Sequence, residues 1–271
     1  MTSNLFYAII VALKKFGALR FMDKFHKLTL VLLASTEQQS LKETIRLLLS
    51  CCASEDLAEI IIFLISPDCP SAETVAEIMN GDPLPVPVRS CIQQMHGLSS
   101  GIFELSHLIE SSHFLIIGSD LEMDPCAVPA MIETSKKHPN AIVCASKFQK
   151  GARRENYGKL HYLCNRAVNL AVELILRVRG TELISTFQIY PLDLFKRMQF
   201  TNPKRTFYEY TIRPLSMGAE YIEIPTNYKR REEGASNFNP RKYIDLGVTF
   251  IRTAISERIR LNKQNKKTKS A

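Results

Sequence analysis

The stretch that most constrains the fold of this chain is residues 113–125, HFLIIGSDLEMDP. Its apolar part, Phe114–Ile117, has the length and composition of a strand that is buried on both faces of a sheet. Three acids follow in a short loop that ends at Pro125, namely Asp120, Glu122 and Asp124. Ligands of open α/β sheets bind outside the carboxyl ends of the strands. The stretch therefore predicts an α/β sheet with a ligand-binding loop.

The acids of this loop allow two interpretations. Hard cations such as Mg²⁺ are held by one or two carboxylates together with substrate phosphates, so Asp120 and Glu122 could form a metal–diphosphate site. Alternatively, Asp124 caps the next helix and Asp120 accepts hydrogen bonds from its own loop. The residues by themselves leave both interpretations open.

Strand and helix patterns alternate over Leu28–Ser146. Buried strands are predicted at residues 28–34, 59–65, 114–117 and 141–146. Helices are predicted between and after them at residues 40–52, 71–79, 97–111 and 128–137. The alternation predicts a mainly parallel sheet with crossover helices. Later helices are predicted at 160–178, 208–217 and 243–261, and short extended segments at 185–190 and 221–224.

The sequence divides into an amphipathic N-terminal helix, an α/β domain, and a C-terminal helix with a basic tail, at residues 1–26, 27–240 and 241–271. The tail from Asn262 onward is polar and basic, which predicts disorder. The apolar run Leu5–Leu13 is too short to span a bilayer. The N-terminal helix could lie at a membrane surface or pack on the core of the domain, and the sequence leaves both options open.

Charge and cysteine usage narrow the class of partner and the compartment. The formal net charge of +8 either faces an anionic partner, such as nucleic acid, acidic lipid or nucleotide phosphate, or simply keeps the protein soluble. Tryptophan is absent and basic residues do not interleave with aromatic ones, so nucleic acid is not expected. The seven cysteines contain no C-x-x-C pair, which is typical of neither a disulfide framework nor a zinc site and indicates a reducing cytosol.

Several short segments occur in a familiar order. Glu37 follows the first strand, Asp68 lies in the loop after the second, and GSDLEMDP at 118–125 follows the central one. Further segments are ELISTFQ at 182–188, EIP at 223–225 and REEGASN at 231–237. Over roughly residues 28–243 the chain resembles family 2 glycosyltransferases with the GT-A fold, especially the polyprenyl-phosphate sugar transferases related to dolichol-phosphate mannose synthase.

This resemblance implies a fold and an activity. The fold would be α/β, a GT-A-like, mainly parallel sheet with flanking helices and a helical C-terminal appendage. The activity would be transfer of a sugar from a nucleotide diphosphate donor to a polyprenyl phosphate or another membrane-proximal acceptor. Mg²⁺ or Mn²⁺ would neutralise the charge on the leaving diphosphate. The protein would be cytoplasmic, with peripheral contact at the inner face of a membrane as an option.

The resemblance also assigns roles to residues. Glu182 would be the general base, and Asp120 and Glu122 would bind the metal. The donor would be contacted by Glu37, Asp68, Asp120, Lys147 and Gln188. An arginine fork matches phosphate geometry, which predicts a phosphate-binding loop of Arg230, Arg231 and Ser236. Lys147, Arg153 and Arg154 follow a strand end and could add positive charge to the same mouth.

Six positions depart from the family pattern at the donor site. Gly118 stands where the first acid of the D-x-D motif is expected, and Glu182 replaces an Asp. The other departures are Gln188 for an Arg, Asn237 for a Lys, and the apolar Phe63 and Leu64 for the acids that read the base. Apolar residues cannot make the hydrogen bonds that discriminate bases. The alternative hypothesis is therefore a catalytically degenerate homologue that acts as a lipid- or partner-binding scaffold.

Overall fold

The computed structural model describes residues 24–200, 202–231 and 240–269. The predicted N-terminal amphipathic helix lies outside the described residues except for its last three positions, and Ser236 lies outside them as well. None of the helices in the described ranges combines the length and the apolar character needed to cross a bilayer.

Within the described residues, seven strands form the central sheet and two form a small second sheet. In chain order they are β1 (Leu28–Ala34), β2 (Leu57–Leu64), β3 (Val88–Ile92), β4 (His113–Gly118), β5 (Ile142–Ser146), β6 (Arg154–Glu155), β7 (Gln188–Pro191), β8 (Tyr221–Pro225) and β9 (Tyr228–Lys229). The central order is β3-β2-β1-β4-β7-β5-β8, while β6 pairs with β9. Of the central strands, β7 runs antiparallel to both of its neighbours and the other pairs are parallel. The prediction of a mainly parallel sheet is thus confirmed.

The helices of the described ranges are α1 (Gln39–Cys51), α2 (Ser71–Asn80), α3 (Leu98–Leu108), α4 (Val128–Lys137), α5 (Lys159–Leu176), α6 (Leu192–Arg197), α7 (Thr206–Ser216) and α8 (Pro240–Lys269). The prediction that the chain is disordered from Asn262 is wrong, because α8 continues to Lys269. Lysine and glutamine are good helix formers, so a polar, basic composition does not by itself predict the loss of a helix.

Alternating side chains of the central strands build a core on each face of the sheet. Along β1, Leu28, Leu30 and Leu32 pack with α1, α2 and α4 on one face, while Val31 packs with α3, α6 and α7 on the other. All four side chains are fully buried. A third apolar cluster joins α5, α7 and α8, so the C-terminal helix packs on the α/β domain through its apolar residues.

The ends of the parallel strands lie together at one edge of the sheet. Leu33 of β1 pairs with Gly118 of β4, and Ala34 pairs with Leu64 of β2. The turn after β1 therefore starts beside the loop after β4. This loop, which carries Asp120, Glu122 and Asp124, is called the acid loop. Phe63 and Leu64 are 3% and 5% exposed and lie in the cores on opposite faces, so both side chains support the sheet at this edge.

His113 makes the stability of the fold depend on pH. Its ring is fully buried at the start of β4, with Nε2 2.9 Å from the carbonyl oxygen of Pro139 and Nδ1 2.9 Å from the hydroxyl of Ser112. Burial lowers the pKa of His113 from 6.5 to about 4. On acidification, His113 is therefore protonated in the unfolded chain at a higher pH than in the folded protein. The contribution of the buried neutral ring to stability is fully present above pH 6.5 and is lost as the pH falls towards 4.

We expect this loss to reach about 3 kcal/mol of unfolding free energy by pH 4. Urea denaturation over a pH series measures it, and His113→Asn should flatten the curve between pH 6.5 and 4. The exposed His96 supplies a matched control, because His96→Asn should leave the curve unchanged. Equal slopes for the wild type and His113→Asn would show that another group causes the acid instability.

Candidate functional site

Two adjoining cavities border the acid loop that follows β4. The larger, about 520 Å³, is called the arginine cavity; it lies between the start of α1, the acid loop and β9. Its charged lining residues are Glu43, Asp120, Asp124, Arg153, Glu155, Lys229, Arg230 and Arg231. The smaller, about 240 Å³, is called the Glu182 cavity and contains Asp120, Glu122, Lys147 and Glu182. Asp120 and Tyr228 line both cavities, so the two spaces share a wall.

The acid loop is held in place by an arginine. Arg231 donates from Nη2 to Asp120 Oδ2 at 3.0 Å and from Nε to Glu122 Oε1 at 3.0 Å. Asp120 also accepts a 3.1 Å bond from the backbone N–H of Glu122. The residue between the two acids, Leu121, has a φ of +56°, a conformation that is strained for a bulky side chain. Arg231 is distant from Asp120 and Glu122 in sequence, and it links these two neighbouring acids into one unit.

Burial governs the charge state of Asp120. Desolvation raises the pKa of its carboxyl group above the ordinary value of 3.8, and the neighbouring Glu122 carboxylate raises it further. Arg231 lowers the pKa of Asp120 but does not cancel the effect of burial. Burial and Glu122 thus favour the protonated form of the Asp120 carboxyl group, whereas Arg231 favours its ionised form.

The acid at the end of the loop has a structural role. Asp124 Oδ1 accepts from the backbone N–H of Cys126 at 3.0 Å, and Oδ2 accepts from the Asn227 amide at 3.2 Å. It caps the short 3₁₀ turn Pro125–Ala127 that leads into α4. Asp124 is thus a cap, although of this turn and not of α4, which has no side-chain cap.

Glu37 lies beside the acid loop but uses its carboxylate within its own turn. Oε2 accepts from the backbone N–H groups of Ser35 and Thr36 at 2.8 and 2.9 Å. It therefore closes the turn after β1, and no side chain caps α1. Its charge still reaches the loop, since it raises the pKa values of Asp120 and Arg231.

Glu182 is buried in the loop between α5 and β7, with 1% of its surface exposed. Its Oε1 accepts a 2.6 Å bond from Lys147 Nζ, while its buried Oε2 has no hydrogen-bond partner among the described residues. Burial raises the pKa of Glu182 above 4.5, although Lys147 opposes the shift. A buried carboxylate with one unsatisfied oxygen at a cavity wall is compatible with a general base, and that role of Glu182 stays a prediction.

The backbone around Glu182 is fixed by residues of β8. Glu223 Oε1 accepts from the N–H of Glu182 at 2.6 Å, and the Tyr221 hydroxyl donates to the carbonyl oxygen of Glu182 at 2.6 Å. From α5, Asn169 accepts from the N–H of Leu183 at 2.6 Å. Sequence reasoning gave Glu223 no role, although it matched the EIP segment. The contacts show that it positions the Glu182 loop.

The predicted basic side chains separate into two groups. Arg153, Arg230 and Arg231 line the arginine cavity, whereas Lys147 lies in the Glu182 cavity and pairs with Glu182. Arg154 donates to the carbonyl oxygen of Lys147. Lys147, Arg153 and Arg154 were expected around the same mouth. Of these three, only Arg153 lines the arginine cavity, Lys147 lines the Glu182 cavity, and Arg154 lines neither.

Two predicted donor contacts lie away from the cavities. Asp68 is exposed in the turn after β2 and lines neither cavity. Gln188 is 1% exposed in β7 and donates to the carbonyl oxygen of Ser185 at 2.8 Å. Their contact with a donor stays a prediction. Sequence reasoning missed the aromatic lining of the Glu182 cavity, for which no local signal existed. This lining consists of Tyr157, His161, Phe187, Phe207, Tyr228, Tyr243 and Phe250.

The acid loop as arranged does not fit a divalent metal. Both of its inward carboxylates, Asp120 and Glu122, are bound by the guanidinium of Arg231. Across the described ranges, no group of three or more His, Cys, Asp and Glu residues lies close enough together to hold a metal ion. The residues predicted as metal ligands are thus neighbours in space, but a cation of the protein already lies between them.

No family model matches the sequence, and no curated protein matches it. Solved structures do match. Glucosyl-3-phosphoglycerate synthase from Mycobacterium tuberculosis in complex with Mg²⁺ and UDP aligns with a TM-score of 0.61 at 14% identity, covering 86% of this chain and 79% of that chain. The same synthase with Mn²⁺, UDP-glucose and phosphoglyceric acid aligns with a TM-score of 0.60 at 15% identity, covering 86% and 80%. The chain therefore has a GT-A-like glycosyltransferase fold, with a mainly parallel sheet, flanking helices and a C-terminal helix.

Proposed function

We propose that the protein is a glycosyltransferase that moves a sugar from a nucleotide diphosphate donor to a polyprenyl phosphate or another membrane-proximal acceptor. The observation that carries the proposal is the wall shared by the two cavities. On one side of Asp120 lies an arginine-lined space, and on the other lies the buried carboxylate of Glu182. A donor and an acceptor held in these two spaces would meet at the acid loop.

The arginine cavity suits the donor. Its volume of about 520 Å³ is in the range of small-molecule sites. Arg153, Arg230 and Arg231 offer planar forks for phosphate oxygens. The first residues of α1, Gln39 and Ser40, also line it, and the amino end of a helix carries partial positive charge that favours an anion.

The Glu182 cavity suits the reacting end of the acceptor. Oε2 of Glu182, which has no hydrogen-bond partner in the part of the chain that the structure describes, would take a proton from an attacking hydroxyl or acidic phosphate group. Lys147 favours the ionised form of this carboxylate against the effect of burial, and it brings positive charge towards an acceptor phosphate. Tyr157, Tyr228 and Tyr243 provide flat apolar faces with polar tips against which a sugar ring can lie.

The solved relatives support the class of both substrates. The Mycobacterium tuberculosis synthase was captured with UDP-glucose as donor and phosphoglyceric acid, a phosphorylated acceptor. Sequence identities near 15% establish the fold and not the substrates. The molecules bound to that synthase support the proposal of a nucleotide-sugar donor and a phosphate-bearing acceptor. The proposal of a lipid acceptor is based instead on the surface of this chain.

The outer surface supports a membrane-proximal acceptor. Exposed apolar side chains recur at helical spacing along two helices that pack together: Leu160, Leu163, Leu170 and Leu174 on α5, and Ile244, Val248, Ile255 and Ile259 on α8. Apolar rows on a chain with a net charge of +8 fit the surface of a membrane that carries anionic lipid.

A transfer assay tests the proposal. The purified protein is incubated with radiolabelled UDP-, GDP- and dTDP-sugars, and with either polyprenyl phosphate in anionic vesicles or soluble 3-phosphoglycerate. Mn²⁺ and EDTA are compared, because the predicted need for Mg²⁺ or Mn²⁺ is itself open to test. We expect labelled lipid with at least one donor. Label in phosphoglycerate alone would retain the glycosyltransferase and reject the lipid acceptor.

The degenerate-scaffold alternative makes the opposite prediction for the same assay. It expects no transfer and no donor hydrolysis, but retained binding to the vesicles. Burial of Phe63 and Leu64 in the core and the bridging of the acid loop by Arg231 are the observations that favour it. Absence of turnover with every donor, together with vesicle binding, would establish the scaffold and reject the enzyme.

A further inference from the structure

We infer that Arg231 takes the cation position of the acid loop, so that the protein binds the diphosphate of its donor without a divalent metal. The inference rests on the proposed function, because it concerns how the same donor is held. Three observations support the inference: the geometry of Arg231, the space above Gly118, and the other cations of the arginine cavity.

The guanidinium of Arg231 lies between the carboxylates of Asp120 and Glu122, which are the two predicted metal ligands. It contacts them through two different nitrogens, Nη2 to Asp120 and Nε to Glu122, each at 3.0 Å. The side chain is 22% exposed, so solvent weakens these ion pairs only in part. A divalent ion on the same two carboxylates would lie next to the guanidinium and be repelled by it. Metal binding would therefore require Arg231 to leave.

The space for a third carboxylate is filled by the loop itself. A Cβ atom placed on Gly118 would lie 3.1 Å from Oδ1 of Asp120. The Asp120 carboxylate thus lies over Gly118, where the side chain of a first D-x-D acid would begin. Glu37 uses its carboxylate to accept hydrogen bonds within the turn after β1. Of the three acids in the loop itself, Asp124 caps the following turn, and Asp120 and Glu122 are both paired with one arginine.

Arg231 keeps the capacity to bind phosphate while it bridges the acids. An arginine carries five N–H donors in a planar fork, and the two ion pairs use two of them. The carboxylates fix the orientation of the fork, as outer partners do for ligands of a metal site. Arg153, Lys229 and Arg230 line the same cavity and add positive charge. Glu43, Asp124 and Glu155 line the cavity too, so these cations would hold a diphosphate through charge-assisted hydrogen bonds and not through an excess of positive charge.

Isothermal titration calorimetry tests the inference with UDP, GDP and inorganic pyrophosphate, each in Mn²⁺ and in EDTA. We expect equal affinity in the two buffers. Arg231→Ala should bind about tenfold to a hundredfold more weakly in EDTA, because charge-assisted bonds to phosphate are lost. Mn²⁺ should restore part of that loss, since the variant uncovers Asp120 and Glu122. Arg231→Lys keeps the charge without the fork and should lose less.

The control and the outcomes separate this inference from the proposed function. Arg179 is exposed and lines neither cavity, so Arg179→Ala should bind like the wild type. Binding by the wild type that requires Mn²⁺ would overturn the role of Arg231 and leave the glycosyltransferase proposal standing. Binding in EDTA that survives Arg231→Ala would also overturn that role. Absence of binding in both buffers would overturn the donor site and the inference together.

Discussion

Glu182→Gln is expected to lower kcat about a hundredfold to ten-thousandfold, the range over which a positioned general base acts. The substitution keeps the shape of the side chain but removes its capacity to take a proton. Nucleotide binding in the arginine cavity should be retained, because Glu182 does not line that cavity. Steady-state transfer kinetics and titration of the nucleotide measure the two effects separately.

The pH profile gives a second signature of the same residue. Burial raises the pKa of Glu182 above 4.5, and a base must be ionised to work. We therefore expect kcat/KM of the wild type to fall on acidification at a higher pH than an ordinary carboxyl group would give. Glu257 offers a matched control, since it is a buried glutamate that pairs with Arg213 outside both cavities. Loss of activity by Glu257→Gln as large as that by Glu182→Gln would point to a general structural effect.

Lys147→Met is expected to destabilise the fold by about 3–5 kcal/mol, because it leaves the carboxylate of Glu182 buried without its counter-charge. The two side chains of this pair are 10% and 2% exposed and lie 2.6 Å apart. Urea denaturation at neutral pH measures the loss. The loss should shrink on acidification, since protonation of Glu182 removes the unpaired charge.

Two further variants define the cause of that loss. Lys147→Met combined with Glu182→Gln should recover much of the stability, because neither charge remains buried. Lys136 forms exposed pairs with Asp56 and Glu133, so Lys136→Met should cost no more than about 1 kcal/mol. A cost of that small size for Lys147→Met would show that water reaches the pair and that Glu182 is not desolvated.

Much of the architecture follows from local sequence. The strand Leu28–Ala34 and the helix Val128–Lys137 have the predicted bounds. The strand is an uninterrupted apolar run, and the helix is preceded by a capping turn at Asp124 and followed by His138-Pro139. In both, the residues that begin and end the element are neighbours in the chain, so their chemistry can be read without the fold.

The order and direction of the strands in the sheet could be predicted less well from the sequence. The extended segment near Gln188 was predicted, but its insertion between β4 and β5 in the antiparallel direction was not. The direction of a strand depends on the path of the chain before and after it, and no local pattern encodes that path. The short helix α6 after β7 was also not predicted.

The sequence by itself determined which residues carry charge and that the acid loop follows a buried strand. Only the tertiary structure decided how those charges combine. Arg231 reaches Glu122 across 109 residues, and Lys147 reaches Glu182 across 35. Such pairs depend on which strand ends meet at the edge of the sheet and on how far water is excluded there. Both are properties of the packed molecule, and for that reason a predicted metal loop becomes an arginine-bridged one in the fold.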